Sequence, residues 1–418
     1  MNARAEAFRP RDNARLRICF VMLHYARNAA TIEPLRYLSE TPTHSALPEA
    51  VAALGHEVHL VHQFPRDFAF TAKGVHYHFV AERASTRIAS RTVGSIRRAD
   101  PALYEPAMRS IERVRSLDPD ILHVHGTTLN LNLFLLLRAI GRDGPPVILH
   151  FHGGYPAHSP LGKRMQRSNF ERAARYGFTT TEHAQPFIDA GLLHSPERIV
   201  PLMETSSTFS RSDRAISRRE TGMSGDPVFL SVGRLHPIKD PLTMLRGFEL
   251  VLEQWAGAEL YLYYLTDEYR TTMQCYLESR PTLNAHVHFR GRAPFEQMEA
   301  IYNSADFLLQ ASRREFSGCA VLEAMACGVI PVVTDIPSFR AMTDNGRCGI
   351  LFPLADADSL ARQVLAIKPE TIVERSAGIR AHFERSLSFG GLAQQLVPIY
   401  QRMQAEHHAA IATTPADR

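Results

Sequence analysis

Short, nearly continuous apolar runs alternate along this chain with longer segments whose apolar residues recur every three or four positions. In the first half the runs cover 16–23 (LRICFVML), 57–64, 75–80, 120–126 and 147–154, with helical spacing at 47–55, 101–117 and 131–141. A run that is apolar on both faces cannot front water, so this pattern predicts parallel strands covered by helices on both sides. Over 203–226, rich in Ser and Arg, polarity rises and periodicity fades. The alternation then restarts, with strands predicted at 227–235, 259–265, 285–291, 305–312, 329–335 and 349–353.

The pattern predicts an α/β protein of two Rossmann-like, doubly wound halves facing a cleft. A length of 418 residues suits two or three domains. The expected boundaries are a flexible arm over 1–15, a first domain over 16–205, a linker over 206–226, a second domain over 227–388 and a flexible tail over 406–418. The composition, 45% hydrophobic and 22% charged, is that of a globular protein. The net charge of +4 is mild, and no arginine stripe is interleaved with aromatics, so nucleic acid is not an expected partner. Cys19, Cys275, Cys319, Cys327 and Cys348 form no CxxC pair, which suits free thiols in a reducing cytoplasm. No apolar run approaches a membrane span, and the N-terminal residues have no signal-peptide core, so a cytoplasmic location is expected.

Neither half carries GxGxxG after its first strand, which argues against a dinucleotide enzyme. The second half opens instead with SVGRLHPIKDP (231–241), placing Arg234 and Lys239 in a loop at a strand's carboxyl end. Two cations there suit a diphosphate, although any lone pair of loop charges can simply be solvated. In REFSGCAVLEAMACG (314–328) the amides of Ser317, Gly318 and Cys319 open a helix, and small residues would let an anion approach them. Glu315 and Glu323 flank that point. Carboxylates repel phosphate but accept hydrogen bonds from hydroxyls, so a nucleotide sugar satisfies both demands.

The runs GRLHPIKD, VHFRGRAPFEQMEAIYNSADFLLQASRREFSGCAVLEAMACGVIPVVTD and GRCGILFPLADADSLA resemble the C-terminal half of retaining, family-4-type glycosyltransferases of the GT-B fold (glycosyl transferases group 1). Glu315 and Glu323 match that family's Glu-x7-Glu signature. The resemblance is strong over about 227–365 and weaker over 16–200. It implies an N-terminal acceptor domain, a C-terminal donor domain and a helix at 389–405 that crosses back to the first domain. It also implies roles. Arg234 and Lys239 would hold the donor diphosphate, Glu323 the ribose, and Glu315 a hydroxyl of the transferred sugar. His152, in HFHGG, matches a histidine facing that sugar, and Gly291 and Arg292 join the donor-binding set. The expected donor is a uridine diphosphate sugar first and a guanosine diphosphate sugar second, used without metal or other cofactor. A hydrolase or epimerase acting on nucleotide sugars, or a silent nucleotide-sugar-binding module, are the alternatives.

The departures lie mostly in the acceptor half. The loop LHYARNAATIEP (23–34) lacks the family's glycines, PLMETSSTF (201–209) replaces its Asn-Gly-Val-Asp segment, and Ser317 stands where Phe is usual. Segments 81–98 and 162–177 carry excess Arg, including Arg83, Arg87 and Arg91. This is either a solvated helix face or the mark of an anionic small-molecule or lipid acceptor, with no more than peripheral contact at the inner membrane face. Paired histidines such as His123/His125 and His150/His152 have metal-like spacing but read as strand-end packing. Asp356 and Asp358 imitate a metal-binding DxD but sit where a helix N-cap belongs.

Overall fold

The structure is a computed structural model, in which residues 15–24, 37–38, 42–86, 105–126 and 130–413 are described. Residues 1–14 of the expected arm, the loop at 23–34 beyond His24, Arg87 to Arg98 and the last five residues lie outside that set. The chain divides into two compact units, one of Met1–Glu204 with Leu392–Arg418, the other of Thr205–Gly391.

In the first unit the described strands are β1 (Arg17–Met22), β2 (Glu57–Gln63), β3 (Phe68–Ala72), β4 (Val75–Val80), β5 (Ile121–His125), β6 (Val147–His150), β7 (Arg175–Phe178) and β8 (Ile199–Pro201). They form one sheet in the order β3-β4-β2-β1-β5-β6-β7-β8. All described pairings are parallel except β3 with β4, joined through Lys73 and Gly74, both at positive φ, as a two-residue hairpin requires. β1 and β5 are buried along nearly their whole length, which is why both read as unbroken apolar runs. Three strands escape the pattern. β3 (FAFTA) is an edge strand, exposed or half-exposed at every position, and β7 and β8 are only four and three residues long.

The second unit holds β9 (Val228–Gly233), β10 (Glu259–Tyr264), β11 (Val287–Gly291), β12 (Phe307–Gln310), β13 (Ile330–Thr334) and β14 (Ile350–Phe352), all parallel, in the order β11-β10-β9-β12-β13-β14. From β9 the chain winds toward β10, and from β12 it winds the other way. The direction therefore reverses between these neighbours, and a crevice opens at their carboxyl ends.

Segment 206–226, expected as a linker, is built into the second unit. Its serines bond rather than swing free: Ser206 Oγ donates to Leu387 O at 2.6 Å, and the Ser212 amide to Asn303 Oδ1 at 2.8 Å. Its middle forms a helix, Arg214–Thr221, capped by Asp213, and Arg214 and Arg218 both pair with Asp306 at 2.5 and 2.7 Å. Polarity there satisfies backbone groups and a carboxylate, which composition cannot distinguish from solvation. Similarly, residues 406–413 of the expected flexible tail continue the helix Phe389–Thr413. Within the first unit, Tyr400 of this helix is buried and its hydroxyl lies 2.6 Å from His123 Nδ1.

Candidate active site in the second unit

The crevice between β9 and β12 is a cavity of about 500 Å³. Arg234 and Lys239, in the loop after β9, line it together with Glu315, Ser317, Gly318, Cys319 and Glu323 from the segment after β12. Residues some eighty positions apart thus share one wall because their strands are neighbours. The two loops are also tied directly. Arg313 donates its amide to Ile238 O at 2.8 Å and pairs with Asp240 at 3.0 Å, while Gln310 Nε2 donates to Val232 O at 2.6 Å.

The helix Cys319–Ala326 begins at Gly318 with no side-chain cap. The first amides of a helix have no intrahelical acceptor, so this end presents donors and the positive end of the helix dipole. Gly318 must be small, because a Cβ there would lie 2.7 Å from the Phe339 ring. At the other end Gly328, at φ +76°, closes a Schellman motif. Its amide donates to Met325 O at 3.0 Å, and that of Val329 to Ala324 O at 2.9 Å.

The charges are arranged unevenly. Lys239 Nζ donates to Glu315 Oε1, both side chains being largely buried. Arg234 is exposed and makes no hydrogen bond or ion pair among the described residues. Glu323 Oε2 accepts from the buried Tyr302 hydroxyl at 2.6 Å. Burial pushes the Glu323 carboxyl up to about 7, against the opposing pull of that hydrogen bond.

The remaining wall is aromatic and apolar: Tyr263 and Tyr264 from the end of β10, and Phe295 and Met298 beyond β11. Sequence reasoning passed over these residues, although paired tyrosines at the carboxyl end of a predicted strand were a visible signal. Arg292 lines the cavity, whereas Gly291, at φ +69°, ends β11 just before it.

His152 stands in the first unit, just after β6. Its Nε2 lies 2.7 Å from His125 Nδ1, and its Nδ1 lies 3.6 Å from Glu204 Oε1. Burial, reinforced by neighbouring imidazoles, holds its pKa well below the ordinary histidine value. Among the described residues, His123, His125 and His150 bring ring nitrogens within 4.8 Å of one another. His123 bonds Tyr400 and, at 3.1 Å, His150, and His125 Nδ1 meets His152, while His125 Nε2 is buried with no hydrogen-bond partner among the described residues. Asp356 accepts from the Ser359 amide at 2.8 Å as the N-cap of Ala357–Leu365. All five cysteines are free. No described helix is long and apolar enough to cross a membrane.

This architecture has clear relatives. The profile of glycosyl transferases group 1 matches residues 226–368, and that of glycosyltransferase family 4 matches 46–196. A GDP-mannose:cellobiosyl-diphosphopolyprenol alpha-mannosyltransferase from Xanthomonas oryzae is 35% identical over 278 residues, 63% of this chain and 68% of that protein. The chain belongs to the GT-B glycosyltransferases of the family 4 type. A D-inositol 3-phosphate glycosyltransferase from Nocardia farcinica is 24% identical over 63% of this chain, which spans 60% of that relative's length. The fold is similar to that of a sucrose-phosphate synthase from Thermosynechococcus elongatus, with a TM-score of 0.62 at 16% identity, covering 94% of this chain and 100% of that one. The glycosyltransferase profile at 226–368 contains every residue named in the cavity wall.

Proposed function

We propose that this glycosyltransferase moves a sugar from a nucleoside diphosphate sugar to an anionic acceptor, with retention at the anomeric carbon and without a metal ion. The observation that carries the reading is the cavity at the β9/β12 switch point, where two cations and a helix N-terminus stand beside two carboxylates. Arg234, Lys239 and the amides at 317–319 take the diphosphate and stabilise charge developing on the leaving oxygen. Glu323 accepts from the ribose hydroxyls and Glu315 from a hydroxyl of the transferred sugar. Tyr263, Tyr264 and Phe295 offer flat apolar surface to a base. No general base is assigned.

The relative named for GDP-mannose favours a guanosine donor over the uridine donor first expected from sequence. Relatives named for an inositol phosphate and for a diphosphopolyprenol favour an acceptor bearing phosphate. A thermal-shift panel of uridine and guanosine diphosphate sugars tests the donor, followed by acceptor screening with the best of them. Stabilisation by neither, or release of free sugar without dependence on any acceptor, would refute the reading.

A further inference from the structure

Behind the cavity wall, Glu323 is held by a phenol that is itself outside the cavity. Tyr302, on the helix Phe295–Asn303, is fully buried, and its hydroxyl donates to Glu323 Oε2 at 2.6 Å. No other partner for that hydroxyl is present among the described residues. The carboxylate has a second oxygen, Oε1, with no protein donor among the same residues, and Glu323 lines the cavity. A carboxylate on a flexible stem, half-buried beside an open cavity, has several rotamers and a strong tendency to neutralise. A fixed donor on one oxygen counters both tendencies.

We infer that Tyr302 is a positioning residue for the sugar donor, its hydroxyl holding one oxygen of an ionised Glu323 so that the other accepts from the nucleotide's ribose. The inference rests on the role proposed for Glu323. Its chemistry follows from the surroundings. Burial opposes ionisation of Glu323, and the Tyr302 hydrogen bond is the influence that favours it. Tyr302 itself stays a donor, since burial first and Glu323 second push its pKa well above the ordinary phenol value. The other groups nearby are Cys319 and Cys327 on or after the same helix, with Glu299 and Arg380 beside Cys327. Lys239, Arg234, Arg292 and Glu315 line the cavity that Glu323 faces. Burial raises the Cys327 thiol, which stays neutral near pH 7. Lys239 is engaged by Glu315, so Tyr302 is the partner specific to Glu323.

The test is calorimetric titration of guanosine and uridine diphosphate into the full chain, its Tyr302→Phe variant and its Glu323→Gln variant, across about pH 5.5 to 9. In the unaltered protein, affinity falls on acidification through neutrality. In Tyr302→Phe the fall occurs about one pH unit higher, with roughly fivefold weaker binding at neutral pH and near-normal binding in alkali. Glu323→Gln binds weakly and retains only the titration of the nucleotide's own phosphate. A purely structural role for Tyr302 would weaken binding equally at every pH, and that result overturns the inference. An unshifted Tyr302→Phe profile beside a weakened Glu323→Gln also overturns it, while leaving the donor reading intact. Unweakened binding by Glu323→Gln overturns both.

Discussion

Replacing Glu315 by Gln should make the protein bind a free nucleoside diphosphate more tightly while it transfers sugar more slowly. Without a donor, Lys239 is neutralised by Glu315, with side chains only 22% and 13% exposed. An incoming diphosphate must therefore take Lys239 from a carboxylate already in place. Unit charges 4 Å apart at an effective dielectric of 20 attract by about 4 kcal/mol, and the desolvation of both groups offsets much of that. A net competition of about 1–2 kcal/mol remains, so the amide variant should bind the diphosphate roughly five- to thirtyfold more tightly. The sugar-bearing donor should gain less, because the same substitution weakens the contact to the sugar hydroxyl. The ratio of the two affinities separates this from a general change in the cavity. The assay is calorimetric titration of nucleoside diphosphate and nucleotide sugar side by side, with single-turnover transfer measured on the same samples. Equal or weaker diphosphate binding by Glu315→Gln would show that the ion pair does not compete with phosphate, and the reasoning would fail.

Nucleoside diphosphate should bind in excess chelator as tightly as in magnesium, since Arg234, Lys239 and the helix amides supply the positive charge; dependence on added magnesium or manganese in the same titration would exclude the metal-free reading. Glu323 has a raised carboxyl pKa in the folded chain, so its contribution to stability is fully present below the unfolded value near 4.5 and is lost as pH rises through about 7. Calorimetric unfolding should show that contribution as a fall in Tm across this window that Glu323→Gln flattens. Gly318→Ala should weaken diphosphate binding and lower Tm, because the new methyl meets the Phe339 ring and displaces the helix N-terminus; an unchanged Kd would show that the helix end does not touch phosphate. Arg87→Ala should raise the acceptor KM and flatten its salt dependence without altering donor affinity. Salt-independent kinetics in the unaltered enzyme would end the idea of an anionic acceptor.

What the sequence by itself determined was local. Buried strands such as β1, β5 and β13 announced themselves as unbroken apolar runs because successive side chains, pointing to opposite faces, are buried on both. Arg234 and Lys239 lie in one loop, and Glu315, Gly318 and Glu323 in one strand-to-helix turn, so each part of this cavity wall could be singled out along the chain, while the donor roles came only from the family resemblance. Their meeting was not. It depends on β12 lying beside β9 rather than beside β11, a choice of strand order that hydrophobic period does not encode. The same adjacency pairs Lys239 with Glu315, while β10, on the other side of β9, brings its tyrosines into the wall. Tyr302 was legible only as a core residue, because apolar periodicity reports which face is buried and not which polar atom the buried hydroxyl reaches. The serines and arginines of 206–226 failed for the converse reason. A polar side chain that satisfies a neighbouring backbone and one that meets water have the same composition, and only the packed structure distinguishes them.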